Sequence, residues 1–178
     1  HAHVRDDHSE GPLLPDPSLR PLIVAHVGRG SLQLCRSGRA RGAGALEEIL
    51  RYYPDASWAW GNYGLGLRFL GRYAAAGQAY QCAMALAGRQ AWLLNDLALL
   101  EQARRRLDRA LALFLEGSRA PGEARDRDSC RTNAARLLMQ RRGPGDLGMA
   151  RILLQEVVAG GSKARRPRYW LAQLKKAR

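Results

Sequence analysis

From Leu22 onward, apolar residues recur every three or four positions with polar residues between them, the period of helices that bury one face. Each run is short and ends at a glycine, a proline or a cluster of small polar residues. The pattern predicts a helix over 22–36, a break at 37–42, and a helix over 43–53 that Pro54 stops. Three further pairs follow: 58–70 with 73–86 around Gly71, 92–104 with 107–116, and 129–141 with 147–158 around the turn RGPGD. A polar linker at 160–167 then precedes a last helix over 168–178. Residues 1–21 hold four of the eight prolines and show no apolar period, so they read as an extended tail or strap. The expected organisation is a tail over 1–21, helix hairpins over 22–160 and a basic C-terminal cap over 161–178.

The hairpins repeat. At an offset of 34 residues Trp58 falls on Trp92, Leu65 on Leu99, Ala76 on Ala110, and Tyr80 on Phe114 as aromatic on aromatic. The last hairpin aligns in two pieces, Asn62 with Asn133 and Leu67 with Leu138 at 71, then Gly71, Ala76 and Tyr80 with Gly145, Ala150 and Leu154 at 74. The slip falls in the RGPGD turn, where an insertion costs little. Small Gly64 and Ala76 are expected where the two helices of a hairpin approach, Trp60 and Tyr80 beside them, and Gly71 at the turn. A hairpin of this length carrying Trp60, Tyr63, Gly64, Gly71, Tyr73, Ala76, Tyr80 and Ala83 resembles the tetratricopeptide repeat (TPR). The third hairpin keeps Ala98, Ala110 and Phe114 but has Arg105 in place of the turn glycine; the first, around Gly30, Leu46, Ile49 and Pro54, is recognisable chiefly by position.

The resemblance implies an all-α, right-handed α-solenoid of about four hairpins, closed at one end by an amphipathic capping helix bearing Tyr169, Trp170 and Leu174. It also implies a concave groove lined by the first helix of each hairpin. Carried over, the groove positions include Trp58, Asn62, Leu65 and Arg68, then Trp92, Asn95, Asp96 and Leu99, then Thr132, Asn133, Arg136 and Met139. Asparagine recurs in its middle, and a side-chain amide there pairs with both groups of an extended peptide backbone. The competing structural roles are inter-repeat hydrogen bonds for the asparagines and inter-repeat packing for Trp58 and Trp92. Some members of the family grip a terminal carboxylate with lysine, arginine and two asparagines. Here Asp96 stands in the ladder and no groove lysine is present, so that clamp is not expected.

Charge adds a second surface. The net charge of +13 comes almost wholly from arginine and predicts attraction to acidic protein, nucleic acid or anionic lipid. It concentrates at the C-terminus, where Lys163, Arg165, Arg166, Arg168, Lys175, Lys176 and Arg178 surround Tyr169 and Trp170 without an acid. A basic patch with interleaved aromatics suits phosphates and stacked bases as well as acidic protein. Arg104, Arg105, Arg106 and Arg109 form another cluster, expected to be solvated helix surface.

Other chemistry is sparse. No phosphate-cradling loop, nucleophile elbow or HExxH motif is present, so no enzymatic activity, cofactor or metal is expected. His1 and His3 would chelate Cu(II) or Ni(II) only as a free N-terminus, and His26 has no second ligand nearby. Cys35, Cys82 and Cys130 lack metal-site spacing and are expected to be buried free thiols. Free thiols favour the cytoplasm, and a start at His1 without Met is compatible with an exported, processed chain. No apolar window is long enough to span a bilayer. The expected function is protein interaction or assembly scaffolding, with an acidic peptide or protein segment in the groove. Nucleic-acid binding through the arginine clusters, or self-association through the solenoid ends, is the alternative.

Overall fold

The computed structural model describes residues 20–176, with side chains for 28–174. Among these residues there are nine helices and no strand. They are α1 (Arg20–Arg36), α2 (Arg41–Tyr52), α3 (Ser57–Phe69), α4 (Tyr73–Ala87), α5 (Ala91–Ala103), α6 (Leu107–Gly117), α7 (Ala124–Arg141), α8 (Asp146–Ala159) and α9 (Arg165–Lys176). Successive helices pair as α1/α2, α3/α4, α5/α6 and α7/α8, each hairpin packs on the next, and α9 closes the stack against α8 and α7. The result is an all-α solenoid.

Two helix starts differ from the sequence pattern. α7 begins at Ala124, because the charged segment Ala124–Asp128 contains no breaker once Pro121 and Gly122 have turned the chain. α9 begins at Arg165 with Pro167 inside its first turn, where the N–H that proline lacks would have no intrahelical partner anyway. That start places Arg165 and Arg166 on the helix instead of in the linker. α1 likewise includes Arg20 and Pro21 from the expected tail; the rest of the tail, with His1 and His3, lies outside the described residues, as does the side chain of His26.

Matching registers do matching work. Gly64, Ala98 and Ala135 are buried where each hairpin's helices meet, and Ala76, Ala110 and Ala150 are fully buried opposite them. Tyr80, Phe114 and Leu154 fill the adjoining space, each 0% exposed. A Cβ on Gly64 would come within 2.9 Å of the Tyr80 ring, so this close approach requires glycine. The core is accordingly three clusters in sequence, around Leu46 and Cys35, around Tyr80 and Leu93, and around Phe114, Leu138 and Leu174. The two helices of each hairpin pack chiefly on each other, and each hairpin buries further apolar surface against its neighbours, as stacked repeats do.

The hairpins also turn alike. Each first helix ends into one left-handed residue: Gly38 (φ 78°), Gly71 (φ 74°), Arg105 (φ 62°) and Arg142 (φ 55°). Arg142 stands 71 residues after Gly71, so the slip in the fourth hairpin lies beyond it, and Gly145 (φ 78°) forms a second left-handed turn of its own. The alignment of Gly71 with Gly145 is corrected on this geometry. Positive φ brings an arginine's Cβ too close to its own carbonyl. Arg105→Gly is therefore expected to raise stability by about 0.5–1 kcal/mol, less than the full relief because glycine also enlarges the unfolded ensemble. An unchanged or lower urea midpoint would refute it.

Candidate functional site

The first helices of the hairpins, α1, α3, α5 and α7, lie side by side on one face of the stack. Trp58, at the start of α3, is 41% exposed and lies 5.8 Å from the Tyr53 ring. Trp92 is half-buried and its ring presses directly on Gly61 of α3, leaving no room there for a side chain. Of the two tryptophans Trp92 thus packs between repeats, and Trp58 presents free aromatic surface. Leu65 and Leu99 are half-buried, Leu99 against the core of the C-terminal hairpins.

The asparagines are partly used within the fold. Asn133 Nδ2 donates to Asn95 Oδ1 at 2.9 Å, tying α7 to α5, and Asn95 Nδ2 reaches Asp96 Oδ1 at 3.5 Å. Each amide has two donors and a carbonyl oxygen, so the Asn133 oxygen and a second hydrogen on each nitrogen remain for a ligand. Asn62 faces Gly28 of α1.

Beside this pair the same face holds a buried polar set. Among the described residues the Arg68 Nε and the Tyr80 hydroxyl are buried without a hydrogen-bond partner. Burial pushes the Asp96 carboxyl up to about 6, with Arg68 and the Asn95 amide pulling it down and Asp126 of α7 pushing it further up. Burial, and then Asp96, also raise the Tyr80 phenol.

Toward the C-terminal end, α7 and α9 diverge and leave a crevice. It comprises three adjoining hollows of about 390, 460 and 470 Å³. The first two share Thr132, Asn133 and Arg166 at their boundary, and the second two share Arg136, Tyr169 and Trp170. Residues that the sequence placed on two separate surfaces, Asn133 and Arg136 in the groove and Arg165 and Arg166 in the basic patch, therefore line one space. Arg168 is exposed outside the crevice. Lys175 and Lys176 continue α9 with side chains outside the described residues, and Arg178 lies beyond them. Sequence reasoning missed Arg142 and Leu147, which line the far hollow, because the register of the RGPGD turn hid their position.

Two further expectations change. Arg104, Arg106 and Arg109 are not simply solvated: they converge on buried Glu101 at 2.9, 3.4 and 3.7 Å. Arg104 also donates to the Tyr73 carbonyl of the preceding hairpin at 2.5 Å. Of the three thiols, Cys35 and Cys130 are buried, and burial pushes Cys130 up to about 12, but Cys82 is exposed on α4. Among the described residues no group of three metal-ligating side chains occurs, and no helix is long and apolar enough to cross a membrane.

No protein-family model and no curated relative matches this chain. Among solved structures it is similar to PilF of Pseudomonas aeruginosa, a TPR-containing protein, with a TM-score of 0.64 and 16% sequence identity. The likeness covers 84% of this chain and 68% of PilF. At that identity the similarity speaks for the backbone, and the shared hairpin stack fits the small-residue and aromatic registers described above. The chain has a TPR-like helical-repeat fold.

Proposed function

We propose that this chain is a non-enzymatic interaction module that holds a protein segment along the face formed by α3, α5 and α7. The observation that carries the reading is the half-buried polar strip of Arg68, Asn95, Asp96, Asn133 and Arg136, whose hydrogen-bonding capacity is only partly used inside the fold. Incompletely satisfied polar groups in a concavity gain more from a peptide backbone than exposed ones, because their competition with water is already reduced. Exposed Trp58 supplies an aromatic anchor at the N-terminal end of the strip, and the arginines supply positive charge at the other, so an acidic segment is the best match. In this organisation the hairpins build the groove and the basic C-terminal segment caps it.

A photo-crosslinking amino acid placed at Leu65 or Asn133, with Ala85 on the outer face as reference, tests the reading. Protein adducts at the two groove positions and none at Ala85 are expected. Adducts confined to Ala85, or to nucleic acid, would replace it.

The net charge of +13 favours a second reading, a nucleic-acid-binding helical repeat. Size-exclusion chromatography with light scattering, before and after nuclease and at two salt concentrations, separates the two. A mass that falls with nuclease supports nucleic acid, and a nuclease-insensitive, nucleic-acid-free particle supports the protein-binding reading.

A further inference from the structure

The α7–α9 crevice carries more positive charge than its own fold neutralises. Arg136, Arg142, Arg165 and Arg166 all border it, and none of the four makes an ion pair among the described residues. The carboxylate in its wall, Asp128, is already engaged by Arg131 at 3.0 Å. Guanidiniums gathered beside an apolar wall call for an anion that can also bury hydrocarbon.

The order of groups along the crevice restricts that anion. Arg165 and Arg166 meet Arg136 at the middle hollow, where Tyr169, 56% exposed, and Trp170 stand edge to face with centroids 5.0 Å apart. Beyond them the wall turns apolar with Met139, Leu147 and Leu174, and Arg142 closes the far end. Charge, apolar surface and charge thus follow one another along α9. This helix of 12 residues is about 18 Å long at 1.5 Å per residue. An extended strand advances about 3.3 Å per residue, so about five or six residues span the crevice.

We propose that the α7–α9 crevice is the docking site for an extended acidic segment of an unlike protein, with carboxylates flanking one or two apolar residues. The inference rests on the reading of the chain as a protein-interaction module and assigns that module a ligand chemistry and a place. The arginines take the flanking carboxylates, bidentate where the fork allows, and the Met139–Leu147–Trp170 wall takes the apolar side chains. Nucleic acid fits less well: bases could stack on Tyr169 and Trp170, but the aliphatic Met139, Leu147 and Leu174 offer them no flat partner, and the crevice lies between two helices instead of across an open face. The chain's own N-terminal sequence also carries acids, Asp6, Asp7 and Glu10, and its occupancy of the crevice is an outcome the test distinguishes.

The test is fluorescence anisotropy of the full chain with a labelled, amidated peptide of about eight residues alternating glutamate and leucine. Comparison probes are its glutamine analogue and an oligothymidylate of equal charge. Binding is expected to weaken about tenfold or more in Arg136→Ala and in the Arg165→Ala/Arg166→Ala double variant, as charge-assisted contacts imply, and to be unchanged in Arg119→Ala. Circular dichroism melts confirm that the variants fold, and Arg136→Lys, which keeps the charge without the fork, is expected to lose less affinity than Arg136→Ala and guards against a packing effect. The glutamine analogue should bind at least about tenfold more weakly.

Four outcomes overturn the inference. The oligonucleotide could bind more tightly than the peptide through the same arginines. Peptide binding could be lost on Arg68→Ala or Asn95→Ala and not on the crevice variants, in which case the groove reading stands and the crevice assignment falls. Asp6→Asn/Asp7→Asn could tighten the peptide, making the chain's own segment the occupant. Absence of peptide binding would also remove the assignment, leaving the crosslink at Leu65, which is outside the crevice, to decide the groove reading independently.

Discussion

Arg104→Ala is expected to lower stability by about 3 kcal/mol, while Arg106→Ala and Arg109→Ala cost less than about 1 kcal/mol each. All three arginines approach Glu101, whose side chain is 2% exposed, but they differ in exposure: 23% for Arg104, 57% for Arg106 and 67% for Arg109. An exposed guanidinium is screened by water, so deleting it takes little from Glu101. Arg104 is different because its removal leaves a buried carboxylate with only its two longer ion pairs and also takes one donor from the Tyr73 carbonyl. The same contact ties the end of α5 to the start of α4, so it helps set the angle between adjacent hairpins and with it the shape of the groove. Urea midpoints of the three variants decide the matter. Equal losses for Arg104→Ala and Arg106→Ala would show that the cluster acts through its summed charge and not through one buried pair.

The second large effect belongs to Asp96, and its sign depends on pH. In the folded chain the carboxyl titrates near 6, against 3.8 when unperturbed, so the folded state holds the proton more tightly than the unfolded state does. The group's contribution to stability is therefore greatest below pH 3.8, declines as the pH rises toward 6, and is absent above it. Keeping the charged form in place at neutral pH costs about 2–3 kcal/mol. Asp96→Asn preserves shape and hydrogen bonding without the charge, and should stabilise the protein by that amount at pH 7.5 while making little difference near pH 4. Thermal melts of both proteins across this range provide the measurement. A pH-independent difference would assign the effect to packing. Arg68, Asp126, Asn95 and Tyr80 surround the carboxyl, and a cationic or amide donor from a bound segment would relieve the same cost.

Much of the fold was legible because repeat geometry writes itself into short-range spacing. Gly64, Ala76 and Tyr80 mark the interface within one hairpin, and their counterparts in the later hairpins occupy the same buried positions. The misread turn shows the limit. Glycine signals a left-handed residue in sequence, so Gly145 looked equivalent to Gly71, whereas the equivalent conformation is held by Arg142. A residue strained by its neighbours leaves no compositional trace.

The site was legible only in pieces. Asn95 and Asn133 were recognisable as matching positions on the first helices, but not that they spend part of their hydrogen bonding on each other. Arg165 and Arg166 read as a linker before Pro167, because a proline usually precedes a helix more visibly than it sits within a first turn. Extending α9 over them turned a solvated basic run into one wall of a crevice.

By itself, then, the sequence determined the helices, their pairing and the small-residue registers, since these depend on contacts a few residues apart and on a period that repeats. Tertiary structure alone decided which charges are neutralised, with Arg104 engaged by Glu101 and with Arg136, Arg165 and Arg166 left without ion-pair partners among the described residues, and which separate segments share one cavity. Those outcomes depend on distances of a few ångströms between residues tens of positions apart, and Coulomb energy and burial respond to that separation in space, not to separation along the chain.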